Sequence, residues 1–327
     1  LSQGECIRAL PIGVNLMLIP VVTHRFAMAG MTSPHGRCHT FDARANGYAR
    51  AEASCGIMLG MGMEGGVAML SGSCVRQDGR SASLTAPNGM AQQGLLSAAL
   101  ENASVGPDAL HIAEAHGTGT ALGDPIEASS LTEAVISKRS ARAAAIVLGA
   151  GKANVGHAEP AAGATGLVKL ALQLQQGKTV PNAQFRVINP HVRGNLRDVE
   201  CAIPLQPDEV GRMGCVSSFG YSGTIAHAVL SRASAPSAQS VLSPLLYKRR
   251  DFSWLEQARP GLRTSAALGV RMSESASAIE WQRKVGTGER FPSSSLVFSE
   301  EGLVAMYVSA WSSLAPSTTP TPKVHGS

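Results

Sequence analysis

An α/β fold is predicted for this 327-residue chain on three grounds. Short apolar runs of strand length alternate with stretches of helical length through the middle of the sequence. Glycine-rich loops follow directly on those runs. Alanine and glycine are plentiful while aromatic residues make up 4%, a composition that lets helices pack closely on a sheet.

Residues 1–70 set the apolar runs IRALPIGVNLMLIP and SCGIMLGMGMEGGVAML around a loop-rich centre, GMTSPHGRCHTFDARANGYAR. Residues 71–95 read as strand and loop, and GLLSAALENA has helical apolar spacing. DALHIAEAH reads as a buried strand ending at His116. Asp124-Pro125-Ile126-Glu127 then has the marks of a helix start: Asp124 as cap, Pro125 in the first position, Glu127 closing a capping box before EASSLTEAVISKR. AAAIVLGA (143–150) is a second buried strand, running into Lys152 and His157. PAAGATGLVKLALQLQQG is a small-residue helix ending at Gly177, and MGCVSSF and GTIAHAVL are strands around a glycine turn. Beyond residue 232 the Ser/Pro/Ala-rich composition predicts a mostly irregular, flexible tail, 233–327. Tyr247, Phe252 and Trp254 are its candidate apolar anchor.

Composition narrows the function. A hydrophobic content of 44% supports a packed core, and GVNLMLIPVV is too short for a membrane span. The formal charge of +5 is scattered, without interleaved aromatics, which argues against nucleic acid and leaves an acidic carrier protein as a fitting partner. Six distant cysteines with no metal-like spacing predict reduced thiols in an intracellular, cytoplasmic protein and no metal site. The opening LSQGEC, without methionine or signal-like segment, predicts a piece of a longer chain whose targeting information is missing.

His116 and His157 stand out from the other histidines because each sits where a strand gives way to a glycine-flanked loop. His24, His35, His39, His111, His191 and His325 read as surface or structural residues. With no acidic or cysteine partner at ligand spacing, neutral imidazoles donating hydrogen bonds to developing negative charge fit better than a metal site.

EAHGTGTALGDPIE (114–127), GKANVGHAEPAAGATGLVK (151–169) and SSFGYSGTIAH (217–227) resemble three signature blocks of β-ketoacyl synthases, in the style of type I modular polyketide synthases. LPIGVNLML, GRCHTFDARANGYARAE and QDGRSASLTAPNGMAQQ resemble intervening blocks in the same order, so the resemblance runs over residues 1–232. It implies a thiolase-like α/β/α/β/α fold, with 1–70 the remainder of an incomplete first half, 71–232 the second half and 233–327 a linker. It also implies decarboxylative Claisen condensation of an acyl thioester with malonyl-acyl carrier protein, in polyketide or fatty acid biosynthesis. The substrate then arrives on carrier-protein phosphopantetheine, no dissociable cofactor is needed, and the parent protein is a homodimer.

By the same resemblance His116 and His157 donate to the thioester oxygen as the enolate forms, and Lys152, paired with supporting Glu127, orders them. Thr118 and Thr120 hold the phosphopantetheine arm, or else satisfy their own loop. The Phe219 N–H completes an oxyanion hole while its ring gates the acyl tunnel. The family nucleophile, a cysteine in an Ala-Cys-Ser-Ser-type elbow, has no counterpart among the six thiols; Cys55 and Cys215 read as packed strand residues. Asn46 and Ile225 replace the usual Asp and Asn, and Ala51 and Ala53 replace glycines that a left-handed turn would need. Two rival readings are a chain-length-factor-like binding partner, which tends to lose the histidine pair kept here, and a decarboxylase-only ketosynthase.

Overall fold

The computed structural model describes residues 1, 4–61, 66–80, 86–196, 199–233, 270–272 and 279–281. The chain divides into two compact units, Leu1–Leu242 and Ser243–Ser327.

The first unit opens with β1 (Arg8–Ala9), β2 (Ile12–Asn15), α1 (Pro20–Met28), β3 (Ala53–Gly56) and β4 (Leu59–Gly60). β1 pairs antiparallel with β4, and β2 with β3. Helix α1 has no sign in the sequence, where Pro20 reads as an interruption of an apolar run. Proline instead occupies the first helical position, where its missing N–H costs nothing. No residue of α1 is buried, so it carries no apolar periodicity to read.

β5 (Ala68–Gln77), α2 (Gly89–Ala103), β6 (Ile112–Glu114), α3 (Gly123–Ala134), β7 (Ile146–Gly149), α4 (Lys152–Val155), α5 (Ala162–Gln176), α6 (Pro190–Asn195), β8 (Cys201–Ala202), β9 (Met213–Phe219) and β10 (Thr224–Arg232) follow. Six of these strands form one sheet in the order β5-β10-β9-β6-β7-β8. It is antiparallel from β5 to β9 and parallel from β9 to β8.

Period-two alternation divides the sheet's side chains between two cores. Ala113, Cys215 and Val229 join Leu96, Ala99 and Leu131 of α2 and α3 on one face. Their chain neighbours Ile112, Val216 and Leu230 meet Leu170 and Leu174 of α5 on the other. Because β9, β6 and β7 are parallel neighbours, the loops that follow Phe219, Glu114 and Gly149 all leave the same edge of the sheet. That edge is where the fold gathers the site.

Local departures have physical causes. α3 begins at Gly123, and Asp124 does not cap it. Gly177 closes α5 in the left-handed conformation, at φ +66°, as its position after the last apolar turn suggests. Ala51 and Ala53 need no left-handed backbone: among the described non-glycine residues only Phe41, Ser104 and Glu159 have positive φ. In the second unit, β11 (Val270–Met272) and β12 (Ile279–Trp281) pair antiparallel, a regular element inside the tail expected to be mostly irregular. Tyr247, Phe252, Trp254 and His325 lie outside the described residues.

Candidate active site

The loop after β6 turns left-handed at Gly117 (φ +47°) and Gly119 (φ +76°). A Cβ on Gly117 would stand 2.6 Å from the Ala150 Cβ, so glycine is required on both backbone and packing grounds. Two buried carboxylates brace this loop. Glu127 accepts the N–H of His116 at 2.7 Å and of Gly117 at 2.8 Å. Asp124 accepts the N–H of Gly119 at 3.0 Å and of Phe41 at 2.8 Å. The DPIE stretch thus turns its acids inward onto the loop rather than capping its own helix. Burial lifts the Asp124 carboxyl to about 6 and that of Glu127 to about 7, against the backbone donors that pull both down.

The ring of His116 accepts the Phe219 N–H on Nδ1 at 3.2 Å. The ring of His157 accepts the Glu159 N–H on Nδ1 at 2.9 Å. A neutral imidazole that accepts on Nδ1 carries its proton on Nε2. Burial, aided by the Lys152 ammonium, holds both rings neutral: His157 is lowered to about 3 and His116 well below its usual value. The ring centroids are 5.4 Å apart at 87°, and both rings line a cavity of about 760 Å³ with Thr118, Thr120 and Phe219. Residues far apart in sequence are brought to one pocket, each histidine presenting an Nε2–H donor.

Neither ring is expected to protonate as pH falls from about 8 to about 5. Ring ¹⁵N shifts would check this, and protonation near the ordinary value of about 6.5 would contradict the buried neutral pair. A folded histidine held below that value contributes stability in full above it. As pH falls, the unfolded chain takes up the proton first and each ring forfeits about 1.4 kcal/mol per pH unit. Asp124 and Glu127 act in the opposite sense, since carboxyls raised by folding lose stability as pH rises through about 4 to 7. Ring titration therefore isolates the effect where a melting curve would mix the two.

The expected Lys152–Glu127 ion pair does not form. Both Glu127 oxygens are occupied by backbone N–H groups, and no described acid lies within 4.0 Å of the Lys152 ammonium. Lys152 is 8% exposed at the start of α4, where burial lowers its pKa and Glu127, Glu114 and Asp124 partly restore it. The buried Lys–Glu pair of this region is Lys169 with Glu114, and Glu114 also accepts the Gly151 N–H. Thr118 and Thr120 bond each other at 3.1 Å, and Thr120 accepts the Gly123 N–H at 3.2 Å, while both still line the cavity. The Phe219 N–H, expected in an oxyanion hole, is directed onto His116; its ring stands 5.4 Å from the imidazole.

Burial raises the thiol pKa of Cys38 and Cys55, and pushes Cys201 and Cys215 up to about 12. None of these four is tuned toward a thiolate. Residues that sequence reasoning passed over are Asp124 as a loop brace, the Arg50–Glu159 pair and the Ser217–His227 hydrogen bond of 2.9 Å. Phe41, at φ +60° and fully buried, is held by Asp124, for which its sequence gives no signal.

A mixed sheet between helical layers, with glycine-rich loops at the ends of adjacent parallel strands, is here the thiolase-like architecture. The ketosynthase from module 6 of the bacillaene synthase of Bacillus subtilis 168 superposes with a TM-score of 0.68 at 31% identity, over 72% of this chain and 44% of that one. An oxazolomycin ketosynthase domain of Streptomyces albus gives 0.68 at 32% identity, over 72% and 43%. Residues 1–62 match the beta-ketoacyl synthase N-terminal domain and residues 67–186 the C-terminal domain. The chain belongs to the β-ketoacyl synthase family. Among relatives, a phenolphthiocerol/phthiocerol polyketide synthase of Mycobacterium tuberculosis is 40% identical over 243 residues, 70% of this chain and 13% of that protein. A highly reducing polyketide synthase of Dothideomycetidae sp. is 38% identical over 247 residues, 73% of this chain and 9% of its own length. The chain thus spans only about 9–13% of the length of these curated relatives. No helix among the described residues is long and apolar enough to cross a membrane.

Proposed function

We propose that these residues form the decarboxylation and condensation half-site of a polyketide-type ketosynthase. The observation that carries the reading is the pair of neutral imidazoles, each with Nδ1 occupied by a backbone N–H, lining one cavity. A malonyl thioester on carrier-protein phosphopantetheine enters with its carbonyl oxygen between the two Nε2–H groups. Loss of CO₂ leaves the electron pair on the α-carbon and, by resonance, on that oxygen. Fixed donors in a dry pocket stabilise the charge without reorganising. The carbon then attacks the acyl thioester, forming the C–C bond and expelling the thiolate that held the acyl group.

Lys152 adds its nearby charge to the burial that keeps both rings neutral, Glu127 and Asp124 hold the loop that carries His116, and Thr118 and Thr120 offer hydroxyls to the pantetheine amides. The ring of Phe219 stands at the acyl side of the pocket. None of the six cysteines is assigned as acyl acceptor, so the acyl half of the reaction needs a thiol these residues do not supply. Incubating the 327-residue chain with an acyl thioester should give no adduct by intact-mass measurement. A stoichiometric adduct mapped to Cys55 or Cys215 would overturn that assignment.

A further inference from the structure

We propose that Arg50 and Glu159 are positioning residues that hold His157 in its Nε2–H tautomer; this rests on the donor role proposed for His157 above. Arg50 grips Glu159 with two parallel hydrogen bonds, Nε to Oε1 at 2.6 Å and Nη2 to Oε2 at 2.9 Å. The guanidinium side chain is 7% exposed, so this is no solvated surface pair. Glu159 has φ +45°, a left-handed conformation that a side chain with a Cβ resists. Its own N–H is the donor to His157 Nδ1.

These facts form a chain of cause. With α5 fixed by its core, relaxing Glu159 toward the right-handed region would rotate the peptide carrying that N–H away from the ring. The two-pronged hold on its carboxylate opposes this. Arg50 is itself placed by both neighbours, since Ala49 O accepts the His157 N–H at 2.7 Å and the Ala51 N–H donates to His157 O at 2.9 Å. Its remaining nitrogen donates to Thr23 Oγ1 at 2.6 Å, and the guanidinium lies 5.1 Å from the Phe26 ring centroid. One three-residue stretch therefore fixes the backbone of His157, while its middle side chain fixes the donor on the ring.

The consequence is chemical. Without the N–H on Nδ1, the two neutral tautomers compete. The Nδ1–H form would present a lone pair on Nε2 to the enolate oxygen, repelling the charge it should stabilise. His116 has its own donor from Phe219 and is a control within the same molecule.

The test is the ring ¹⁵N spectrum of the full chain in Arg50→Met, Glu159→Gln and Glu159→Gly variants. Arg50→Met and Glu159→Gln should shift His157 from a single Nε2–H form to a mixture with at least about a tenth Nδ1–H, leaving His116 unchanged. Glu159→Gly should keep most of the Nε2–H form, because glycine holds a left-handed φ without the clamp. Glu159→Gln is the milder change and remains decisive if Arg50→Met fails to fold. His157 staying wholly Nε2–H in the folded Gln variant would overturn the proposal. In a full ketosynthase carrying these residues, CO₂ release from malonyl carrier protein should fall in proportion to the Nε2–H fraction lost, by about a tenth at a tenth Nδ1–H and about 10-fold at nine-tenths. A tautomer that moves without any change in CO₂ release would leave the positioning intact and remove the donor role of His157 instead.

Discussion

Alanine at His116 or His157 is expected to slow decarboxylation of malonyl carrier protein by about 10²–10³-fold, the loss associated with one oxyanion-type donor. The measurement is CO₂ release in a full ketosynthase carrying these residues. Both rings are neutral and each has its Nδ1 occupied, so in the proposed reaction each offers one preformed N–H to the same developing charge. Two donors to one oxygen act as a unit, and the double variant should lose less than the product of the single losses. Glutamine, which retains an N–H donor, should recover part of the rate where alanine does not. Acylation of the enzyme thiol by an acyl thioester should be spared, since no enolate forms there. Equal CO₂ release in wild type and both alanine variants would sink the donor reading.

The legible part of the site was the part encoded locally. Glycine-lined loops after apolar runs marked His116 and His157, and parallel neighbouring strands bring those loops to one edge. What stayed hidden depends on partners chosen in three dimensions. DPIE has the letters of a helix start, yet its two acids face inward because four loop N–H groups lie there unpaired otherwise. Helix α1 buries nothing and so leaves no periodic trace. Glu159 has a left-handed φ and a partner, Arg50, 109 positions away, and neither has a signature in its own neighbourhood. One hidden feature did have a signal. Glu114 is a lone charge in an apolar strand and Lys169 a lone charge among small and apolar helix residues, and buried charges demand partners.

That pair gives the second large effect: Lys169→Met should destabilise the fold by about 3–5 kcal/mol, measured by chemical denaturation. Glu114 is 2% exposed, and Lys169 is its only ionic partner among the described residues. Removing the ammonium leaves a carboxylate buried between the sheet and α5, whose one remaining hydrogen bond among the described residues comes from the Gly151 N–H. Replacing both, as Glu114→Gln with Lys169→Met, should recover much of the loss, because the cost lies in the orphaned charge rather than in the missing attraction. Lys152→Met should change stability by less than about 1 kcal/mol, since no described acid pairs with that ammonium and its burial already works against its charge. The order of the two lysines is the discriminating result. A Lys152 variant that costs more than the Lys169 variant would restore the Lys152–Glu127 pairing that the motif spacing suggested. The ordering expected here assigns the buried counterion of this site to the strand that ends two residues before His116, so the ion pair supports the loop carrying His116 through β6 rather than from within the loop itself.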